Sequence, residues 1–109
     1  MKASPKIIQN YVTKNGKSPF EAWFSKLRNK SAKAQIAVRI DRLRLGNFGD
    51  SKSVGLGVFE LRINLGPGYR VYFGLVGNDI VLLLGGGDKS TQRKDIRTAY
   101  GNWKEFTGS

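Results

Sequence analysis

The stretch from Val58 to Lys89 constrains the fold more than any other part of the chain. Three apolar segments, Val58-Phe59-Glu60-Leu61-Arg62-Ile63, Tyr69-Arg70-Val71-Tyr72-Phe73 and Ile80-Val81-Leu82-Leu83-Leu84, are separated by Gly66-Pro67-Gly68 and Gly77-Asn78-Asp79. Connections this short join antiparallel neighbours, so the stretch reads as a three-stranded meander. Side chains alternate sides along a strand. That puts Phe59, Leu61, Ile63 and Leu65 on one face, with Tyr69, Val71, Phe73 and Leu75. The other face then carries Glu60, Arg62, Asn64, Arg70 and Tyr72. If the apolar face makes the core, two arginines, a tyrosine and a glutamate share the opposite, open face. The unbroken apolar run Ile80–Leu84 is expected to be central and covered on both sides.

The rest of the chain supplies one more strand and three helices. Lys6 to Val12 is rich in residues that suit a pleated surface and reads as a strand ended by Asn15-Gly16. Ser18, Pro19 and Glu21 make a helix start of the capping-box type, and Phe20, Trp23, Phe24 and Leu27 form one apolar stripe behind it. After Asn29-Lys30-Ser31, a second helix is expected from Ala32 to Leu45, ending at Gly46, with Ala32, Ile36, Ile40 and Leu43 buried. The short link between the two helices predicts an antiparallel hairpin. Asn47 to Gly57 reads as a loop. Gly85-Gly86-Gly87 reads as a turn, followed by a last helix capped by Ser90 or Asp88, with Ile96, Ala99, Tyr100 and Trp103 on one side. The fold class is α+β, in the order β-α-α-β-β-β-α, with an antiparallel-rich sheet, an N-terminal helical hairpin and a C-terminal helix. All of residues 1–109 form one domain.

Composition narrows the chemistry. The chain has no cysteine and no histidine, so disulfides and thiolate nucleophiles are excluded. The commonest metal ligand and the commonest acid–base group near neutral pH are missing too. No metal or cofactor is expected. No signal peptide or membrane-spanning run is apparent, and a cytoplasmic protein is expected. Nineteen basic residues against eight acidic ones give a net charge of +11, which points to a polyanionic partner, nucleic acid first.

Arg62 and Arg70 suit a phosphodiester, because each planar guanidinium donates two hydrogen bonds at once. Lys89 lies just beyond the glycines, which serve either a tight turn or an anion approaching backbone N–H groups. Lys52 in the loop and Arg39 and Arg42 on the second helix extend the candidate phosphate-binding set. Glu60 is either a proton acceptor for a ribose hydroxyl or an ion-pair partner of Arg62 or Arg70. Tyr72 can stack on a base or donate a hydrogen bond. With an ordinary pKa near 10, it acts as a base only if cationic surroundings lower that value.

Glu60-Leu61-Arg62, the segment Gly66 to Phe73 and the segment Leu83 to Gln92 together resemble the RelE/ParE toxin superfamily, in its HigB-like "addiction module killer protein" branch. The resemblance covers nearly the whole chain. It implies a RelE-like fold and a toxin of a type II toxin–antitoxin system. RelE-like and HigB-like members cleave mRNA on the ribosome, attacking a phosphate with the adjacent 2′-OH. ParE-like members act on DNA gyrase instead. For this chain it implies an mRNA endoribonuclease that inhibits translation. Arg62, Arg70 and Lys89 would stabilise the developing charge, with Glu60 or Tyr72 as the base. It also implies a cognate antitoxin, typically a helix-turn-helix protein. The alternatives are a gyrase inhibitor and a non-catalytic RNA- or ribosome-binding module.

Overall fold

The computed structural model describes residues 4–108. The elements are β1 (Ile7–Asn10), α1 (Pro19–Lys26), α2 (Lys30–Arg44), β2 (Ser51–Gly55), β3 (Val58–Ile63), β4 (Tyr69–Val76), β5 (Ile80–Asp88), a 3-10 turn (Lys89–Thr91) and α3 (Gln92–Thr107). The five strands form one mixed sheet in the order β1-β5-β4-β3-β2. β1 runs parallel to β5, and the other pairs are antiparallel.

The helix starts follow their local chemistry. The Ser18 hydroxyl accepts from the Glu21 N–H at 3.2 Å, with Pro19 at the first helical position. The Glu21 carboxylate does not close the capping box. It accepts instead from the Asn10 side-chain amide at 3.1 Å, tying α1 to β1. α2 begins two residues before the expected Ala32, because the Asn29 side chain caps it by accepting from the Ala32 N–H at 3.0 Å. It ends before Gly46, whose φ of +84° suits glycine.

Both faces of the sheet are covered. On one, Leu61, Ile63, Val71, Phe73, Val81 and Leu83 pack against Phe20 of α1 and Ala32, Ile36, Ile40 and Leu43 of α2. On the other, Val58, Tyr72, Leu82 and Leu84 pack against Ile96, Ala99, Tyr100 and Trp103 of α3. Each fully buried aliphatic or aromatic side chain contributes about 1.5–3 kcal/mol. α1 and α2 pack chiefly on the sheet, α1 against β5 and α2 against β1 and β3. The Lys33 ammonium lies 5.0 Å above the Phe24 ring, a direct bridge between the two helices.

Four expectations need correcting. First, residues 51–55 are a strand, so the order is β-α-α-β-β-β-β-α. β2 pairs with β3 alone, and its polar sequence Ser-Lys-Ser-Val-Gly hides a strand held by backbone hydrogen bonds at a solvated edge. Second, the glycine run is no turn, because β5 continues through it to Asp88. A bulge there, where Tyr72 pairs with Gly85 and Phe73 with Leu83, leaves Leu84 as the extra residue and shifts the alternation. Third, neither Ser90 nor Asp88 caps α3, whose N-cap is Thr91 without a side-chain hydrogen bond; Asp88 caps the 3-10 turn before it, its carboxylate accepting from the Ser90 N–H at 2.8 Å. Fourth, Leu65 lies in the exposed β3–β4 turn, outside the core.

Candidate nucleic-acid interface

The largest departure from the sequence expectation concerns Glu60, Arg70 and Tyr72. They share one sheet face, as alternation requires, but α3 covers that face. Glu60 and Tyr72 are fully buried and Arg70 is 4% exposed. The three form a polar cluster with Gln92 from the first turn of α3. The Tyr72 hydroxyl donates to Glu60 Oε2 at 3.1 Å, and the Gln92 amide donates to the same oxygen at 2.7 Å. Arg70 Nε faces Glu60 Oε1 at 3.7 Å, an ion pair too long to be a hydrogen bond. Arg70 also donates to its neighbour's carbonyl, Tyr69 O, at 3.0 Å. The cluster ties β3, β4 and α3 together, and none of its three charged or phenolic groups presents a surface to a substrate.

The electrostatics of Tyr72 run opposite to those of a base. Burial pushes its pKa far above the ordinary tyrosine value. The Glu60 charge and the hydrogen bond to it push further, Asp95 adds to this, and Arg70 only partly opposes it. The phenol is therefore held protonated as a donor to Glu60. The condition under which Tyr72 could accept a proton, a lowered pKa, is not met.

Arg62 occupies the same face but sits at its edge, with its side chain 34% exposed, and pairs with Asp50 at 3.3 Å. The Arg39 guanidinium donates to the Arg62 carbonyl at 2.8 Å, bracing α2 against β3, and burial lowers its pKa. Arg42 is exposed beside it, on a cleft of about 300 Å³ lined also by Gln35 and Asn64. Lys52 stands exposed on β2, opposite Glu60 in register, and not in a loop as expected. The Lys89 chain runs past Gly68, where a Cβ would come within 3.1 Å of it, and the residue is exposed. Thus Glu60, Arg70 and Tyr72 meet inside the protein, whereas Arg62, Arg42, Lys52 and Lys89 lie at the surface in separate elements.

Gly86 and Gly87 accommodate side chains. A Cβ on Gly86 would lie 2.2 Å from the Trp23 ring, and one on Gly87 would lie 1.8 Å from the Asp95 carboxylate. Gly86 thus lets α1 close on one sheet face, and Gly87 lets α3 close on the other. The expected turn is replaced by strand, and Gly86 and Gly87 have a packing role, whereas a Cβ on Gly85 would meet nothing within 4 Å. Among the described residues, no three carboxylates gather where a metal ion could sit, and no helix is long and apolar enough to cross a membrane.

Most acidic side chains have a partner within the chain, while many cations have none among the described residues. Seven of the eight acidic residues hold internal partners: Glu21 with Asn10, Asp41 with Arg44, Asp50 with Arg62, Glu60 with its cluster, Asp88 with Ser90, Asp95 with Thr91, and Glu105 with Lys14. Arg93, Lys94, Arg97 and Lys104 of α3 are exposed, as are Lys52 and Lys89. None of these six makes an ion pair or side-chain hydrogen bond among the described residues. Arg93, Arg97, Tyr100 and Lys104 are spaced to fall within one narrow stripe of the helix. The Tyr100 hydroxyl donates to the β2 carbonyl of Val54, so this cationic stripe flanks β2. Arg93, Arg97 and Lys104 lie outside the candidate set that the strand pattern singles out, and their helical spacing is the signal that marks them.

No family model matches the chain. An uncharacterized protein of Haemophilus influenzae is 60% identical over 80 residues, spanning 73% of this chain and 81% of its own length.

Proposed function

The chain belongs to one family with this Haemophilus influenzae protein, and we propose that it is a type II toxin of the RelE/ParE superfamily, in the HigB-like killer branch, that inhibits translation by engaging RNA on the ribosome. The observation that carries this reading is the surface of unpaired cations along α3 and β2. Acidic side chains are drawn into internal contacts while Lys52, Lys89, Arg93, Lys94, Arg97 and Lys104 face solvent. Such a field attracts a phosphate backbone and supplies most of a non-specific affinity. The resemblance of Glu60–Arg62, Gly66–Phe73 and Leu83–Gln92 to the superfamily gives that surface a target.

The reaction that fits is cleavage of mRNA: the ribose 2′-OH attacks its own 3′-phosphate and the 5′-oxygen of the next nucleotide leaves. The products are a 2′,3′-cyclic phosphate and a 5′-OH. Arg62 and Lys89 are the accessible residues of the original constellation, and they stabilise charge growing on the phosphate. Positioning by the ribosome supplies much of the rate. The departing proton passes to solvent or to a group of the ribosome, because Tyr72 is held protonated and Glu60 is enclosed.

That enclosure favours a second reading, in which the chain blocks the ribosome without cutting mRNA. Expression in bacteria with genome-wide mapping of mRNA 5′ ends separates the two. New ends within coding frames support cleavage, and arrest of protein synthesis with intact mRNA supports blockade. Altered plasmid supercoiling with translation unaffected would sink both and point to gyrase. A helix-turn-helix antitoxin is the partner this reading implies.

A further inference from the structure

The β2–β3 turn is Gly55-Leu56-Gly57, with φ of 97°, 55° and 84°. Leu56 is the only non-glycine among the described residues with a positive φ. Left-handed backbone crowds the Cβ of an ordinary residue against the following carbonyl, and leucine has no polar group to offset it. The side chain is also 75% exposed, more than any other large hydrophobic described. Neither backbone geometry nor packing within the chain accounts for a leucine at this position.

Leu56 borders a groove of about 370 Å³ whose other walls are Tyr100, Gly101, Trp103 and Lys104. The groove has a rigid aromatic wall. The Trp103 indole fits against Gly57 and Gly74, where a Cβ would come within 2.6 and 2.3 Å of it. On its outer side it stacks on Phe106 at 6.1 Å and 16°, and Phe106 is 45% exposed. Gly101 leaves the groove open, since a Cβ there would meet nothing within 4 Å. Glycine inside a helix is less favourable than alanine, so this position gives up helix stability where it keeps the wall open.

We propose that this groove docks an acidic, amphipathic protein segment that anchors in it with an apolar side chain. Clustered aromatic and aliphatic anchors ringed by charge are the anatomy of a protein-binding hot spot. The ring here is cationic: Lys104 lines the groove, and Arg97 and Arg93 continue along the same stripe of α3. Charge complementarity therefore selects an acidic occupant. A second copy of a chain carrying +11 would bring like charges together, and a bilayer needs a projecting apolar ridge where this surface is concave. The inference does not rest on the RNA reading.

The test uses fluorescently labelled amphipathic peptides of about 16 residues, roughly four helical turns. They carry identical Leu, Phe and Trp anchors, with Glu, Gln or Lys at the polar positions. The Glu peptide binds, and the Gln and Lys peptides bind at least about tenfold more weakly. Leu56→Gly, which relieves the backbone while removing the side chain, weakens binding at least about tenfold and does not lower the melting temperature. Failure of all three peptides to bind, equal binding of the Gln peptide, or undiminished binding to Leu56→Gly overturns the proposal. Leu56-dependent binding to phosphatidylserine vesicles, or Leu56-dependent self-association in sedimentation, also overturns it by assigning the groove to a different occupant.

Discussion

The Tyr72 hydroxyl donates a hydrogen bond to the Glu60 carboxylate at 3.1 Å beneath α3, where both side chains are fully buried. This contact turns two candidate catalytic groups into parts of the scaffold. Glu60 balances the buried Arg70 cation and gathers donors from β4 and α3. Removing one partner of a buried ion pair costs about 3–5 kcal/mol, because the other charge is left uncompensated. Glu60→Gln is therefore expected to lower stability by about 3 kcal/mol in urea unfolding. Glu60→Leu combined with Arg70→Met is expected to recover more than half of that. A Glu60→Gln protein of native stability would contradict the structural role.

Tyr72 gives a pH signature. Its pKa is raised in the folded protein by burial and by Glu60, and stands near 10 in the unfolded chain. Below pH 10 the phenol is neutral in both states, and its contribution is fully present. Above pH 10 the unfolded state releases the proton first, so stability falls with rising pH by about 1.4 kcal/mol per unit from this group. Unfolding titrations from pH 9 to 11 should show Tyr72→Phe with a slope shallower by one proton. Equal slopes would show that Tyr72 ionises normally in the folded protein.

Gly86→Ala tests whether the glycine run serves packing. The new methyl would collide with the Trp23 ring, which lies 2.2 Å from the Cβ position, and overpacking of this kind costs about 1–3 kcal/mol. Combining it with Trp23→Leu should reduce the penalty. If the glycines instead served an anion, Gly86→Ala would weaken RNA binding without changing the melting temperature.

Much of the architecture was legible because its signals are local. Ser18 and Pro19 start α1, and Ala32, Ile36, Ile40 and Leu43 define the buried side of α2. The three strands from Val58 onward follow their apolar runs. β2 escaped notice because an edge strand is made by its partner's backbone, and Ser51-Lys52-Ser53 carries no apolar pattern. Glu60 does pair with Arg70, one of the two roles open to it, but the burial of Glu60 and Tyr72 runs against the strand pattern for a sharper reason. Alternation says which residues share a face, not whether that face is covered. The clue lay elsewhere, in the apolar side of α3, since Ile96, Ala99, Tyr100 and Trp103 need a sheet face to bury against. Charged residues on a strand do not by themselves make an open surface.

The cationic stripe predicts a salt-dependent RNA affinity. Each cation that contacts a phosphate of single-stranded RNA adds about 0.7 to the slope of log affinity against log salt. Arg93→Ala with Arg97→Ala should reduce that slope by about 1.4 and leave the melting temperature unchanged, because both side chains are exposed. An unchanged slope would remove α3 from the RNA surface.

A purified translation system distinguishes an RNA-directed toxin from an inert chain. A defined mRNA is incubated with the protein, with and without ribosomes, and its ends are mapped by primer extension. Cleavage within the reading frame, leaving a 2′,3′-cyclic phosphate, is expected only when ribosomes are present, and is expected to be lost in Arg62→Ala. Intact mRNA together with undiminished protein synthesis would contradict the RNA-directed reading.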